Sequence, residues 1–288
     1  MTLDPRLNAF RPDLADARLR GEVDADRFVE GTPRRVVATS APLKRRPAAD
    51  AGLDSEVLRG ETFTVFEETG EGWSWGQLAT DSYVGYVPSD ALGTLDPAPT
   101  HRIAALRTFI YPGPDLKLPA RGWLSFGALV ALAGEAETRG TRYRLLAGGE
   151  GAIVAVHAVP IDAPPENDFV AAAERFLGTA YLWGGRPSLG LDCSGLVQLS
   201  LMAAGRSAPR DTDLQETMLG TAVEGGAAAP LRRGDLVFWK GHVGIMIDGE
   251  YMLHASGSAM AVAIEPLAEA AERIGCASGP VRSVRRME

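Results

Sequence analysis

The chain has 288 residues, 45% of them hydrophobic and 23% charged, and a formal net charge of −8. This is the composition of folded globular domains, two or three at this length, and not of a disordered chain. A pI of about 5.2 argues against a nucleic-acid partner, and two cysteines, Cys193 and Cys276, cannot make a disulfide framework.

The opening "MTLDPRLNAFRPDLADARLRG" mixes acids and bases without an apolar core. It reads as neither a signal peptide nor a membrane span, which needs about 18 apolar residues in a row. The expected location is the cytoplasm, without membrane insertion. Residues 1–32, polar with sparse apolar positions, are expected to form a helical arm. From residue 33 short β-branched and aromatic runs alternate with Gly, Asp and Pro: "RRVVATSAPLKRRP", "ETFTVFEET", "WSWGQLAT" and "YVGYVPSD". The series restarts after "LDPAPT", whose prolines favour an extended linker, with "HRIAALRTFIYPGPD", "LVALAGEAE", "YRLLAGG" and "GAIVAVHAVP". Two small all-β barrels, 33–97 and 98–163, account for the repeat.

A different regime covers 164–288. Phe169, Ala172, Ala173, Phe176 and Leu177 lie at helical spacing, and Gly178 ends the run. A second helix is expected from about Ser194 to Ala204, stopped by Gly205. The strands "LVFWK", "HVGIMID" and "YMLHAS" follow, then a helical "PLAEAAERIG" and a last strand near "VRSVRR". Helices followed by antiparallel strands indicate an α+β domain.

Cys193 stands at the mouth of the second helix rather than inside its apolar run. A thiol becomes a nucleophile as the thiolate, which a helix N-terminus and a neighbouring imidazolium favour. Of the four histidines, His242 and His254 flank a hairpin marked by Asp248-Gly249. A two-residue turn would put them on opposite faces. A three-residue loop, Ile247-Asp248-Gly249 with Gly249 at positive φ, pairs His242 directly with His254, so both rings share one face. One imidazole can then take the thiol proton while the other orients it. Zinc on Cys193 and the two histidines would need a fourth ligand, and none has convincing spacing. His101 and His157, in the barrel region, read as polar core residues, and Cys276 reads as structural.

The neighbourhood of Cys193 resembles the NlpC-type cysteine peptidases of bacterial cell walls. "YLWGGRPSLGLDCSGLV", "APRDTDLQ", "RRGDLVFW", "GHVGIMI" and "YMLHASG" carry the resemblance in the family's order. It implies a papain-like α+β catalytic domain over 164–288, with Cys193 as nucleophile, His242 as base, His254 as the polar third member and no cofactor. Tyr181 matches the family's site tyrosine, and Asp192 and Ser194 match positions lining the cleft, where Asp192 would meet a substrate ammonium. Backbone N–H groups at the helix start would stabilise the oxyanion.

"WSWGQLATDSYVGYVPSDAL" is similar to the bacterial SH3 pattern, so the whole chain resembles a subclass with two SH3-like domains before the peptidase. The implied reaction is hydrolysis of the γ-D-glutamyl–meso-diaminopimelate (or Lys) bond of murein tri- or tetrapeptides with a free N-terminal L-Ala. In that subclass the first barrel receives the free amine, and Tyr83 and Glu56 are the candidates here. The alternative for them is barrel packing for Tyr83 and a solvated strand position for Glu56. Three functions follow: a cytoplasmic peptidase that recycles murein peptides, an exported hydrolase of polymeric wall, and a non-catalytic peptide-binding module. The intact Cys, His, His set favours the first two.

Overall fold

Pro12 decides the conformation of the arm. In the structure, a computed structural model that describes residues 3–287, the strands Phe10–Arg11 and Leu14–Asp16 pair antiparallel around that proline, and Phe28–Val29 adds alongside. The one helical stretch among the arm's described residues is the 3-10 turn Ala17–Leu19, whose cap Asp16 accepts the Arg18 N–H at 2.9 Å. The expected helical arm is therefore corrected. Proline lacks the N–H and collides with the preceding turn. The arm's apolar residues Ala9 and Leu14 pack on Phe66 and Trp75 of the first barrel. Arg11 lies 4.5 Å over the Trp75 ring and donates to the Tyr86 hydroxyl at 2.6 Å.

The chain divides into two compact units, Met1–Ala163 and Pro164–Glu288. In the first, Leu92–Gly93, Thr32–Val36, Thr62–Glu68, Trp73–Leu78 and Val84–Pro88 form an antiparallel sheet closed by the hairpin of Ser40–Leu43 and Ser55–Leu58. Alternate residues point inward, and Val36, Leu43, Val57, Phe63, Leu78 and Val87 make a core. The second barrel repeats the scheme around Ile103, Leu124, Val130, Leu146 and Ile153. The Leu129 N–H donates to the Arg59 carbonyl at 2.8 Å and Arg59 pairs with Glu150, which ties the barrels together.

The second unit is an eight-stranded sheet with helices packed on it. Its order is Gly190–Leu191, Ala180–Tyr181, Ala261–Pro266, Tyr251–Ser256, His242–Met246, Asp235–Trp239, Ser283–Arg286 and Thr221–Ala222. Only the first pair is parallel among these. The helix Cys193–Ala203 is buried along nearly its whole length and packs on the strands of His242 and His254. That contact brings the thiol to the imidazoles. The helix expected at Phe169 is α-helical only over Phe169–Glu174, capped by Asp168 on the Val170 N–H. The helix Thr212–Met218 and the strand Ala261–Pro266 were not expected from the sequence. Neither has a strong period of its own.

Gly60 brings the first barrel's backbone against the second barrel. It sits at φ +84°, and a Cβ there would lie 2.2 Å from the Leu129 carbonyl oxygen. Both the left-handed backbone and the backbone contact require glycine. Gly60→Ala should cost at least about 1–3 kcal/mol, read as a melting temperature several degrees lower for the barrel unit. An unchanged melting temperature would mean that the junction yields.

Candidate active site

Asp192 sets the start of the nucleophile helix. It is the N-cap, and its carboxylate accepts the Gly195 N–H at 2.7 Å and the Gly184 N–H at 3.0 Å. The fully buried Arg210 donates to both carboxylate oxygens, at 2.9 and 2.7 Å. The position expected to meet a substrate ammonium thus also caps the helix and pairs with a buried guanidinium. Ser194, also buried, donates to Asp192 at 3.4 Å and accepts from Arg210 at 2.9 Å. Gly195 keeps the turn this tight, since a Cβ there would stand 2.6 Å from the Gly185 carbonyl oxygen.

Cys193 follows as the first helical residue, 6% exposed. Burial, then the Asp192 charge, pushes the thiol up to about 11, against the Val243 N–H, Arg210 and Thr212, which favour the thiolate. At neutral pH the sulfur is a thiol. The helix start alone does not ionise it, because desolvation outweighs the dipole here. The half-buried Tyr181 lies on the strand Ala180–Tyr181. Burial first, then the Cys193 and Asp192 charges, raises its hydroxyl to about 12, so it stands protonated in the thiol's surroundings.

His242 opens the strand that carries Val243, and its Nε2 lies 2.7 Å from His254 Nδ1. The rings meet edge to face, with centroids 5.0 Å apart. They share one face, but not by the pairing expected from the sequence. Ile245 pairs with Leu253 and Met246 with Met252, and extending this register puts His254 opposite Gly244. The histidines are therefore diagonal neighbours. The loop is Asp248-Gly249-Glu250, closed by the Ile247 N–H to the Tyr251 carbonyl at 3.0 Å. Asp248 takes the Glu250 and Tyr251 N–H groups at 2.8 and 2.7 Å. This side-chain closure replaces the glycine bulge, and Gly249 is not among the positive-φ glycines.

The sequence reading missed Glu265. It lies on Ala261–Pro266, two residues beyond Ala263, the cross-strand partner of His254, and its Oε1 is 2.6 Å from His254 Nε2. Arg273, from the helix Leu267–Ser278, pairs with the same oxygen. The tight turn between "YMLHAS" and "AVAIEP" was the available signal. It makes a hairpin in which an acid two residues past the partner of His254 shares its face. Burial, then the charges of His254 and Arg273, pushes His242 down to about 3. Burial lowers His254 as well, against Glu265. Both imidazoles are neutral at pH 7, so one is free to act as a base.

Tyr83, 5% exposed, belongs to the first barrel's core. Glu56 is half-buried on Ser55–Leu58 and accepts from the Ser40 hydroxyl at 3.5 Å. Both are in the other compact unit. His157 and the Thr108 hydroxyl are 2.9 Å apart, and His101 and the Thr100 hydroxyl 3.0 Å. Cys276 is an exposed free thiol and packs no core.

Residues 43–92 match the family model described as the bacterial dipeptidyl-peptidase SH3 domain, and residues 178–273 match that of the NlpC/P60 family. The chain is 28% identical over 245 residues to the gamma-D-glutamyl-L-lysine dipeptidyl-peptidase of Bacillus subtilis, covering 76% of this chain and 78% of that protein. It is 26% identical to dipeptidyl-peptidase 6 of Lysinibacillus sphaericus, covering 77% and 86%. An NlpC/P60 family protein from Bacillus cereus superimposes with a TM-score of 0.70 at 20% identity, over 88% of this chain and 99% of that one. At that identity the likeness is one of fold.

Removing the carboxylate should destabilise the helix start. Asp192→Ala takes the carboxylate away from the buried Arg210 guanidinium, and should cost about 3–5 kcal/mol in denaturant unfolding; a loss below 1 kcal/mol would mean that water reaches Arg210. The depressed histidines give a pH dependence. An unfolded histidine titrates near 6.5 and picks up protons that folded His242 refuses until about 3. Stability is full above the unfolded value and is lost as pH falls below it. The melting temperature of the peptidase unit should drop between pH 7 and 5, and less steeply in His242→Gln. Parallel slopes for the two proteins would contradict the burial of a neutral His242.

Proposed function

We propose that this chain, whose residues 178–273 belong to the NlpC/P60 family of cysteine peptidases, hydrolyses the γ-D-glutamyl–diamino acid bond of short murein peptides, with meso-diaminopimelate or lysine as the diamino acid. The observation that carries the reading is Cys193 at a buried helix start beside two neutral, hydrogen-bonded imidazoles. The relative named for the γ-D-glutamyl-L-lysine bond supports the substrate class, since the match extends well beyond the peptidase unit. Released peptides carrying a free N-terminal L-Ala are the proposed substrates, in cell-wall peptide recycling in the cytoplasm.

The steps follow from the geometry. The Cys193 sulfur attacks the γ-glutamyl carbonyl carbon as its proton passes to His242. The carbonyl oxygen becomes an oxyanion beside the helix start, where the Cys193 and Ser194 N–H groups precede the helix's own ladder. The C–N bond breaks and the imidazolium returns its proton to the leaving amine. The thioester is then cleaved by water, with His242 as base, which regenerates the thiol.

The test is incubation with L-Ala-γ-D-Glu-meso-diaminopimelate, its N-acetyl form and intact sacculi, with products read by mass. The free tripeptide should be cleaved between D-Glu and the diamino acid without added metal. Cys193→Ala should lose several orders of magnitude, and Cys276→Ala should lose almost nothing. N-acetylation should slow cleavage about 10²-fold, the scale of an unmatched buried polar group. Equal cleavage of sacculi and free peptide would favour an exported wall hydrolase instead.

A further inference from the structure

We propose that Glu265 is a positioning residue for the thiol's base: acting through His254, it fixes the tautomers of both histidines, so that the nitrogen left bare on His242 is Nδ1. The inference rests on His242 being the base for Cys193.

Glu265 is an acceptor that cannot donate. An ionised carboxylate has lone pairs only. Although burial opposes it, Glu265 is held below the usual carboxylate range by Arg273 and His254. At 2.6 Å from Glu265 Oε1, His254 Nε2 must therefore carry the proton of that hydrogen bond. His254 is neutral, so its Nδ1 is bare and accepts. The atom 2.7 Å away is His242 Nε2, which must then be the N–H. His242, also neutral, has only Nδ1 left to receive a proton. Nδ1 is the ring nitrogen nearer the backbone, and the next residue, Val243, supplies the backbone N–H that favours the Cys193 thiolate, on the strand against which the nucleophile helix packs.

Two coupled imidazoles have no such preference by themselves. Their shared hydrogen bond can run either way, and the reverse direction places a proton on His242 Nδ1, where it blocks the base. Glu265 removes that degeneracy by accepting at one end of the chain. Its negative charge also stabilises the imidazolium formed when His242 takes the thiol proton. Arg273 holds the carboxylate in place and keeps it ionised. The charged and titratable groups acting along the line are His254 and Arg273 on His242, Glu265 and Arg273 on His254, and His254 and Arg273 on Glu265. A carboxylate that fixes an imidazole's tautomer is a known device in nucleophilic triads, and here it is displaced outward by one ring.

The test uses the full chain carrying Cys276→Ser, so that iodoacetamide reports on Cys193 alone. Glu265→Gln keeps the size but offers His254 Nε2 an amide that can donate. Alkylation at pH 7 should fall about 10-fold or more, and its rise should move to higher pH. With the tripeptide, kcat should fall in proportion while KM holds. The decisive comparison is the same change in a His254→Asn background. The asparagine oxygen can stand where Nδ1 stood and has no tautomer to set, so Glu265→Gln should there be silent within about 2-fold. Melting temperatures of all four proteins separate folding losses from positioning. An equal loss in both backgrounds, or an unshifted alkylation profile, would overturn the assignment. Alkylation needs no peptide, so an error in the substrate class would leave this readout intact.

Discussion

A thiol and an imidazole buried together without charge are the constraint on which the site depends. Burial raises Cys193 to about 11 and lowers His242 to about 3, so neither ionises alone near pH 7. The thiolate then exists only as the proton moves to His242, which suits a site that generates its nucleophile when the substrate carbonyl is in place. Holding such a pair dry requires the charges around it to be fixed elsewhere. Asp192 and Arg210 do this at the helix start, and Glu265 and Arg273 do it behind the histidines. Each carboxylate serves backbone or ring N–H groups as well as its arginine. The ion pairs are worth less as Coulomb energy than as geometry, since a buried pair contributes little net stability.

Much of this site was legible in the sequence, for local reasons. The placement of Cys193 follows from its position ahead of an apolar helical run. The shared face of His242 and His254 follows from strand parity, which survives a loop misplaced by one residue because the resulting register shift is two. What stayed hidden depends on partners far along the chain. Arg210 lies 18 residues beyond Asp192, and nothing in "APRDTDLQ" says which carboxylate it will meet. Glu265 sits in a strand whose alternation is weak, so only the tight turn before it pointed to the hairpin that aims it at His254. Pro12 was another local signal overlooked, and it turned an expected helix into a hairpin.

The barrels obey simpler rules. Alternating apolar residues and glycine-marked turns mark most of their strands, and many core residues, such as Val36, Leu43, Phe63, Leu146 and Ile153, come from the runs apparent in the sequence, whereas Val57 and Leu124 do not. Tyr83 is not decided by these rules. An aromatic beside a strand can pack inward or face a ligand with the same local sequence, and in the structure its ring is part of the core. Function in this chain is concentrated where the pattern is broken: a charged pair inside a core, a thiol before a helix, an acid on a weak strand.

The most direct test of the account is the ultraviolet absorbance of the Cys193 thiolate as a function of pH, taken as the difference between the wild-type chain and Cys193→Ala. The account predicts no thiolate signal at pH 7, with absorbance appearing only well above the ordinary cysteine range. A thiolate already present at pH 7 would show a standing ion pair with His242, and would contradict the neutral, buried pair on which the mechanism is built.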